Sequence, residues 1–328
     1  MQTDNPFPLV SICVPIYNVE EYIERCARSL FEQTYENIEY VFVDDCSPDN
    51  SIAILQQTAK QYPHRMTQVR FVRHKTNSGL GQARNTGVRE ATGDFILHVD
   101  SDDYIDVNVV ERLVAKQKKT DADIVMYPKK ILYKSGIQIE KTHGYSSPRE
   151  LLENFLIGKT TGNVCGSLIR TLIYHENGIQ VEGGVNQSED FQVITRLMYF
   201  AKVLAFVDDS FYYYDKSNEE SYSYIFKRAN EDQILTSYSV LFAFFRDHFE
   251  DELLKLLHYG KQNTFYNMIR TARLAGDRQY ADHLLHLLRK EYPGYPNTLG
   301  RMKTLLVNVQ NVHLYKLLLF TYRKLRRK

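Results

Sequence analysis

Cysteine is scarce and scattered. The chain of 328 residues carries four, Cys13, Cys26, Cys46 and Cys165, with no Cys-x-x-Cys pair. This argues against a disulfide framework or a zinc site and suggests reduced thiols in a cytosolic protein. Long apolar runs are missing as well. No stretch reaches about 18 uninterrupted apolar residues, so no transmembrane helix is expected. Met1 to Pro8 holds no basic segment followed by an apolar one, so no signal peptide is expected. Net charge is only +1, which argues against whole-molecule nucleic-acid binding. There is no internal repeat and no low-complexity tract. Two nucleotide fingerprints also fail. No Gly-x4-Gly-Lys-Ser/Thr phosphate loop exists, and Gly79-Leu-Gly81 lacks the third glycine of a dinucleotide turn because Arg84 occupies its place.

What remains is an ordinary globular chain, 43% apolar and 25% charged, long enough for one large domain with an appendage or for two domains. The charge is uneven. Residues 301–328 hold eight Lys/Arg and no Asp or Glu, which leaves −7 on the other 300 residues.

Hydrophobic periodicity sets out the first half. Leu9 to Val14 reads as a buried strand stopped at Pro15, and Val19 to Tyr35 as an amphipathic helix with Glu20, Glu21 and Glu24 in its first turns. Ile38 to Val43 is a second strand ending in Asp44-Asp45, followed by a turn-rich segment and a helix to about Tyr62. Val69 to Val72 is a third strand, and a helix covers about Leu80 to Ala91. Such alternation predicts a mainly parallel sheet flanked by helices. Further on, helices are expected near Val107 to Lys118 and Arg149 to Ile157, with strands at Asp123 to Tyr127 and Val164 to Ile169. The polar stretch 129–147 admits a hairpin. Glu189-Asp190 opens an amphipathic helix, two short strands follow, and from Ala229 onward the pattern is helical.

The stretch that organises the chain is Asp94 to Asp103. Phe95 to Val99 reads as a buried strand, and it stops in Asp100, Asp102 and Asp103. Carboxylates cannot stay buried and unpaired, so this cluster belongs at a strand end facing water or a cation. Hard oxygen donors of this kind suit Mg²⁺ or Mn²⁺. The bland alternative is an acidic turn capping the next helix. However, the ends of the first, second and fourth strands point the same way. One sheet edge therefore collects Tyr17, Asp45, Asp100 and Asp102, which capping alone does not explain.

Four segments occur in one register: Val10-Ser-Ile-Cys-Val-Pro-Ile-Tyr-Asn18, Tyr40-Val-Phe-Val-Asp-Asp-Cys-Ser47, Gly81-Gln-Ala-Arg-Asn-Thr-Gly87 and Phe95-Ile-Leu-His-Val-Asp-Ser-Asp-Asp103. A fifth, weaker one is Ser188-Glu-Asp190. Together they resemble the family 2 glycosyltransferases of bacterial polysaccharide and lipooligosaccharide synthesis. The strong match covers about residues 9–105, and a looser one runs to about 224. The resemblance implies an α/β GT-A fold with a mixed, mainly parallel sheet and a C-terminal helical region. It implies a nucleotide-sugar-binding half (1–105), an acceptor-binding half (106–225) and a helical C-terminal region with a basic tail (226–328).

By resemblance, Pro15, Tyr17 and Asp45 hold the base and ribose of the donor, and Arg84 lies near the nucleotide or its diphosphate. Asp100 and Asp102 form an Asp-x-Asp element that contacts the ribose and a Mn²⁺ or Mg²⁺, with Asp103 able to share this work. Asp190 is the general base, and Glu189 can exchange roles with it. Two departures stand out. Cys46 replaces the usual Gly. Asp215 follows Tyr212-Tyr213-Tyr214 where the family often has Arg or His, which leaves Lys216 to supply the charge.

The chemistry is consistent with those roles. Charge grows on a diphosphate leaving group, where a divalent metal stabilises it. The attacking hydroxyl must give its proton to one carboxylate on the opposite face, which inverts the anomeric centre. Plainer readings stand beside these. Glu189 and Asp190 can be helix N-terminal charge, Arg84 a surface residue, Tyr17 a core residue and His98 a structural histidine. The function read here is transfer from a nucleotide sugar, by family habit a UDP-sugar, to a glycan or lipid-linked glycan acceptor. The alternatives are a sugar nucleotidyltransferase and a non-catalytic nucleotide-binding protein. The first would want a Gly-rich basic loop where Pro15-Ile-Tyr-Asn18 stands. The second would be favoured by loss of the strand-end carboxylates, all of which are present.

In the tail, Leu314, Leu317, Leu318, Leu319 and Leu325 interleave with Lys316, Arg323, Lys324, Arg326 and Arg327. A basic, apolar-faced helix can lie on an anionic membrane surface, here the inner face of the cytoplasmic membrane. A packed helix with a solvated basic end, or a dimer contact, reads the same residues differently.

Overall fold

Strands buried on both faces need continuous apolar runs, and Val10–Ile16 (β1) is buried at every position. The computed structural model describes residues 7–141, 144–182, 184–216, 230–292 and Leu306. The other strands are Ile38–Asp44 (β2), Val69–Arg73 (β3), Phe95–His98 (β4), Tyr104–Ile105 (β5), Ile124–Met126 (β6), Lys129–Tyr133 (β7), Gly136–Glu140 (β8), Ser167–Arg170 (β9), Leu204–Phe206 (β10) and Tyr212–Asp215 (β11). The helices are Ile23–Phe31 (α1), Ser51–Ala59 (α2), Leu80–Glu90 (α3), Val109–Thr120 (α4), Pro148–Leu156 (α5), Thr171–Glu176 (α6), Glu189–Phe200 (α7), Glu231–Asp247 (α8), Asp251–Ala275 (α9) and Arg278–Glu291 (α10).

The chain divides into two compact units, Met1–Phe155 with Thr160–Leu241 and Leu156–Lys159 with Phe242–Lys328. In the first unit, seven strands lie in the order β10-β6-β9-β4-β1-β2-β3. The sheet is mixed and mainly parallel, as expected, and β9 alone runs against its neighbours β4 and β6. A smaller sheet, β5-β11-β7-β8, includes the 129–140 hairpin. Helix α1 buries Ile23, Cys26, Ala27, Leu30 and Phe31. Phe31 meets Tyr40 edge-on at 5.1 Å, and the Tyr40 hydroxyl donates to the Leu30 carbonyl.

Three boundaries differ from expectation. β1 runs through Pro15 to Ile16, because β4 last pairs at Cys13 and the missing Pro15 N–H meets no ladder there. Helix α1 starts late, after a turn at Val19–Tyr22 that follows a left-handed Asn18. Val164–Gly166 is a single 3₁₀ turn, and the strand proper is Ser167–Arg170.

In the second unit, α9 and α10 fold back on each other through a left-handed Gly276. Asp277 caps α10 by accepting from the Tyr280 N–H, and Lys261 pairs with Glu291 at 2.7 Å. No helix of the described residues is long and apolar enough to cross a membrane. The basic tail lies outside the described residues apart from Leu306, as do Pro293 and Pro296.

Candidate active site

The parallel strands β1, β2 and β4 end together, and two of their loops are stapled to each other. The Asn18 N–H donates to Ser47 Oγ at 2.8 Å, Val19 N–H to Ser51 Oγ at 3.0 Å and Glu20 N–H to Asp49 Oδ2 at 2.8 Å. Asn50 returns its own N–H and its amide to Glu20 Oε2. Cys46 lies between them at φ 59°, in the left-handed region that glycine enters freely. That explains glycine as the family's usual residue there. Among the described residues five non-glycines have positive φ, and three of them (Asn18, Cys46 and Ser188) flank this site.

Pro15 is buried at the end of β1, and Tyr17 stands 48% exposed just beyond it. Asp45 is buried. Its Oδ1 accepts from His74 Nδ1 at 2.6 Å and from the Ser78 N–H at 2.8 Å, and its Oδ2 accepts from the Gly79 N–H at 2.8 Å. A carboxylate has about four acceptor sites, so one remains, on Oδ2. His74 Nε2 meets Thr86 Oγ1 at 2.9 Å, which orients the ring.

Arg84 is neither exposed nor alone. It projects from α3 into a cluster of three carboxylates. Its Nη1 donates to Glu189 Oε1 at 2.6 Å and Asp190 Oδ1 at 2.9 Å, and its Nη2 donates to Asp100 Oδ1 at 2.7 Å. The surface reading of Arg84 is therefore overturned. Burial disfavours the guanidinium charge, but the surrounding carboxylates more than offset this and hold its pKa well above the ordinary value. Burial pushes Asp100 up, and Arg84 reverses it, so Asp100 lies below the usual carboxylate range. Burial and the Asp190 charge raise Glu189 to about 7. Asp190 is also raised, by burial first, with Arg84 opposing.

The Glu189 side chain is 9% exposed and that of Asp190 24%, so Asp190 is the more accessible of the two. Both sit at the start of α7, behind a loop tied to α3. Asn85 exchanges two hydrogen bonds with the Val181 backbone, and the Gly81 N–H donates to Asn186 Oδ1 at 3.2 Å. Gly81 is required here, since a Cβ would fall 2.4 Å from the Val185 carbonyl oxygen.

The three acids after β4 divide their work. Burial and the Asp100 charge raise Asp102 to about 6. Arg25 reaches the Asp102 carbonyl at 2.9 Å, not its carboxylate. Asp103 turns inward. It accepts from the Tyr212 hydroxyl at 2.6 Å and the Asp215 N–H at 3.0 Å, and burial holds its pKa well above the usual value. The Tyr212 hydroxyl in turn accepts from the Asp100 N–H at 3.1 Å. Asp215 pairs with Arg25 at 2.9 Å, and the Lys216 ammonium lies over the rings of Tyr214 (5.2 Å) and Tyr133 (5.9 Å).

The donor set fits a hard cation. Asp102 and the second oxygen of Asp100 are hard donors, and Mg²⁺ typically takes one or two carboxylates and completes its shell with phosphates and water. No group of three or more His, Cys, Asp or Glu placed to hold a metal occurs among the described residues.

Sequence reading missed four participants: Arg25, His74, Tyr212 and Lys129. Lys129 bonds to Asn163, and its charge bears on Asp190. Of the four, only Tyr212 carried a local signal, in the Tyr212-Tyr213-Tyr214 run. His98 is buried and within 3.2 Å of the Tyr174 hydroxyl, and burial lowers its pKa to about 3, as suits a structural histidine.

A mixed α/β sheet with acids gathered at its strand ends defines a GT-A-like domain, and the comparisons with known proteins agree. Residues 11–173 match the family described as Glycosyl transferase family 2, and the chain belongs to that family. It is 29% identical over 248 residues to "Uncharacterized glycosyltransferase EpsJ" of Bacillus subtilis, covering 74% of this chain and 71% of that one. It is 30% identical over 213 residues to the Staphylococcus aureus "Poly(ribitol-phosphate) beta-N-acetylglucosaminyltransferase TarS", covering 64% of this chain but 36% of that one. The crystal structure of TarS 1–349 in complex with UDP-GlcNAc superposes with a TM-score of 0.68 at 21% identity, over 96% of this chain and 92% of that one. A mannosyltransferase from Pyrobaculum calidifontis, solved with GDP-Man and Mn²⁺, shares the fold at a TM-score of 0.53 and 16% identity, over 93% and 87%.

Proposed function

We propose that this chain is an inverting, metal-dependent glycosyltransferase. It moves a sugar from a nucleotide-sugar donor, by preference a UDP-sugar, to a hydroxyl of a glycan or lipid-linked glycan in bacterial surface-polymer synthesis. One observation carries this reading: Arg84 gathers the strand-end Asp100 and the helix-start Asp190 around a single cation. In this reading residues 1–105 bind the donor and 106–225 the acceptor. The half-exposed Tyr17 ring offers a face to the base, Pro15 shapes the turn beneath it, and Asp45 accepts from a base N–H through its remaining site. Asp102 and Asp100 would hold the Mn²⁺ or Mg²⁺. When bound, the metal neutralises charge on the diphosphate leaving group. Asp190 takes the proton from the acceptor hydroxyl, and burial raises its pKa, which strengthens it as a base. The UDP preference and the N-acetylhexosamine class draw support from TarS, which was solved with UDP-GlcNAc.

The test is nucleotide release from UDP-, GDP- and dTDP-sugars with Mn²⁺, Mg²⁺ or EDTA, for the wild type and Asp102→Ala. Metal-dependent hydrolysis of one donor, reduced at least about 10²-fold in the variant, is the expected result. Folded protein with neither turnover nor metal-dependent nucleotide binding sinks the assignment.

A further inference from the structure

The resemblance places Arg84 near the nucleotide or its diphosphate, but its donor inventory argues against direct contact with a phosphate. A guanidinium has five N–H groups. Two leave Nη1 for Glu189 and Asp190, and two leave Nη2, one for Asp100 and one toward Cys165 Sγ at 3.7 Å. The fifth, on Nε, is buried without a partner among the described residues. The side chain is only 6% exposed. Four N–H groups are committed and the fifth is buried, so none is exposed toward a substrate phosphate.

The arrangement serves the protein's own acids instead. Three carboxylates this close repel one another, and the guanidinium between them offsets that repulsion through direct hydrogen bonds to each. Two edges of one planar fork fix Asp100 on one side and the Glu189/Asp190 pair on the other. Main-chain ties reinforce the same link, since Asn85 and Gly81 of α3 bind the 181–186 loop that leads into α7.

We propose that Arg84 is a positioning residue that touches no substrate and sets the general base Asp190 in place relative to the donor-side Asp100. The proposal rests on the glycosyltransferase reading and deepens it. A lysine keeps the charge but cannot grip both sides at once.

The test compares Arg84→Lys, Asp190→Asn and the double variant in the full chain. Turnover is read as nucleotide release from the donor sugar panel, and affinity as UDP, GDP and dTDP titration with Mn²⁺. Arg84→Lys is expected to lower turnover by about 10²-fold while nucleotide affinity stays within about threefold. In the double variant, the residual turnover should match Asp190→Asn alone within about threefold, because Arg84 acts through Asp190. Multiplied losses, or a tenfold or greater loss of affinity with turnover kept, overturn the inference while the family reading stands. Wild-type turnover in Asp190→Asn overturns the base assignment itself, and the inference with it. If Arg84→Lys does not fold, a wild-type structure with nucleoside diphosphate and Mn²⁺ decides. Arg84 held on its three carboxylates supports the proposal, and Arg84 hydrogen-bonded to a phosphate oxygen overturns it.

Discussion

Cys46 shows how a single backbone angle constrains a residue. At φ 59° its side chain costs about 1–2 kcal/mol that glycine avoids, while glycine costs about 0.5–1 kcal/mol in lost chain freedom. Cys46→Gly is therefore expected to be neutral to about 1 kcal/mol more stable, and a β-branched Cys46→Val about 1 kcal/mol or more less stable, read by urea denaturation. Glu189 gives a second residue-scale prediction, with a definite sign. Burial beside Asp190 raises its folded pKa to about 7, above the ordinary 4.5. The folded chain then holds a proton that the unfolded chain releases. Stability from this group is full below about 4.5 and is lost as pH rises toward 7. Glu189→Gln should remove that slope, so the variant gains on the wild type between pH 4 and 7 in denaturation midpoints. At this scale the sequence displayed the acids but not their partners. Asp100, Asp102 and Asp190 were legible because carboxylates end apolar runs or open a helix. The Arg84 cluster was not, because it joins residues 105 and 106 positions apart.

Direction is what an apolar run does not encode. Of residues 164–169, read as a strand, only 167–169 are strand, and nothing in them says that β9 slots antiparallel between β4 and β6. The same holds for β11. Its Tyr212 is buried, and the hydroxyl links the smaller sheet to the acidic turn, accepting from the Asp100 N–H and donating to Asp103. This one tyrosine ties β11 to the end of β4. Tyr212→Phe keeps the ring and removes both bonds, leaving the buried Asp103 with the Asp215 N–H alone among these donors. The expected cost is about 1–3 kcal/mol in urea denaturation. Faster amide exchange should follow at 100–105 and 212–215, with little change in α2 or β3. Uniform exchange would mean that the tie is not local.

Across the whole molecule, charge is separated along the sequence. Residues 301–328 carry eight positive charges, and the other 300 carry −7. The acidic cluster around Arg84, three carboxyl groups against one guanidinium, contributes to that deficit. The tail has no such internal counterpart in its own sequence, since no Asp or Glu lies in it. An anionic surface is the complement that its composition fits, and a basic residue near such a surface contributes about 1 kcal/mol. Replacing Arg323, Lys324, Arg326 and Arg327 with Ser should then lower binding to anionic phospholipid vesicles by on the order of 10²-fold or more. Nucleotide release from a soluble donor should be unchanged. Raising salt from 0.1 M to 1 M should weaken wild-type binding, because the screening length falls from about 10 Å to about 3 Å. Vesicle binding that persists in the variant at high salt would assign the tail an apolar contact in place of an electrostatic one.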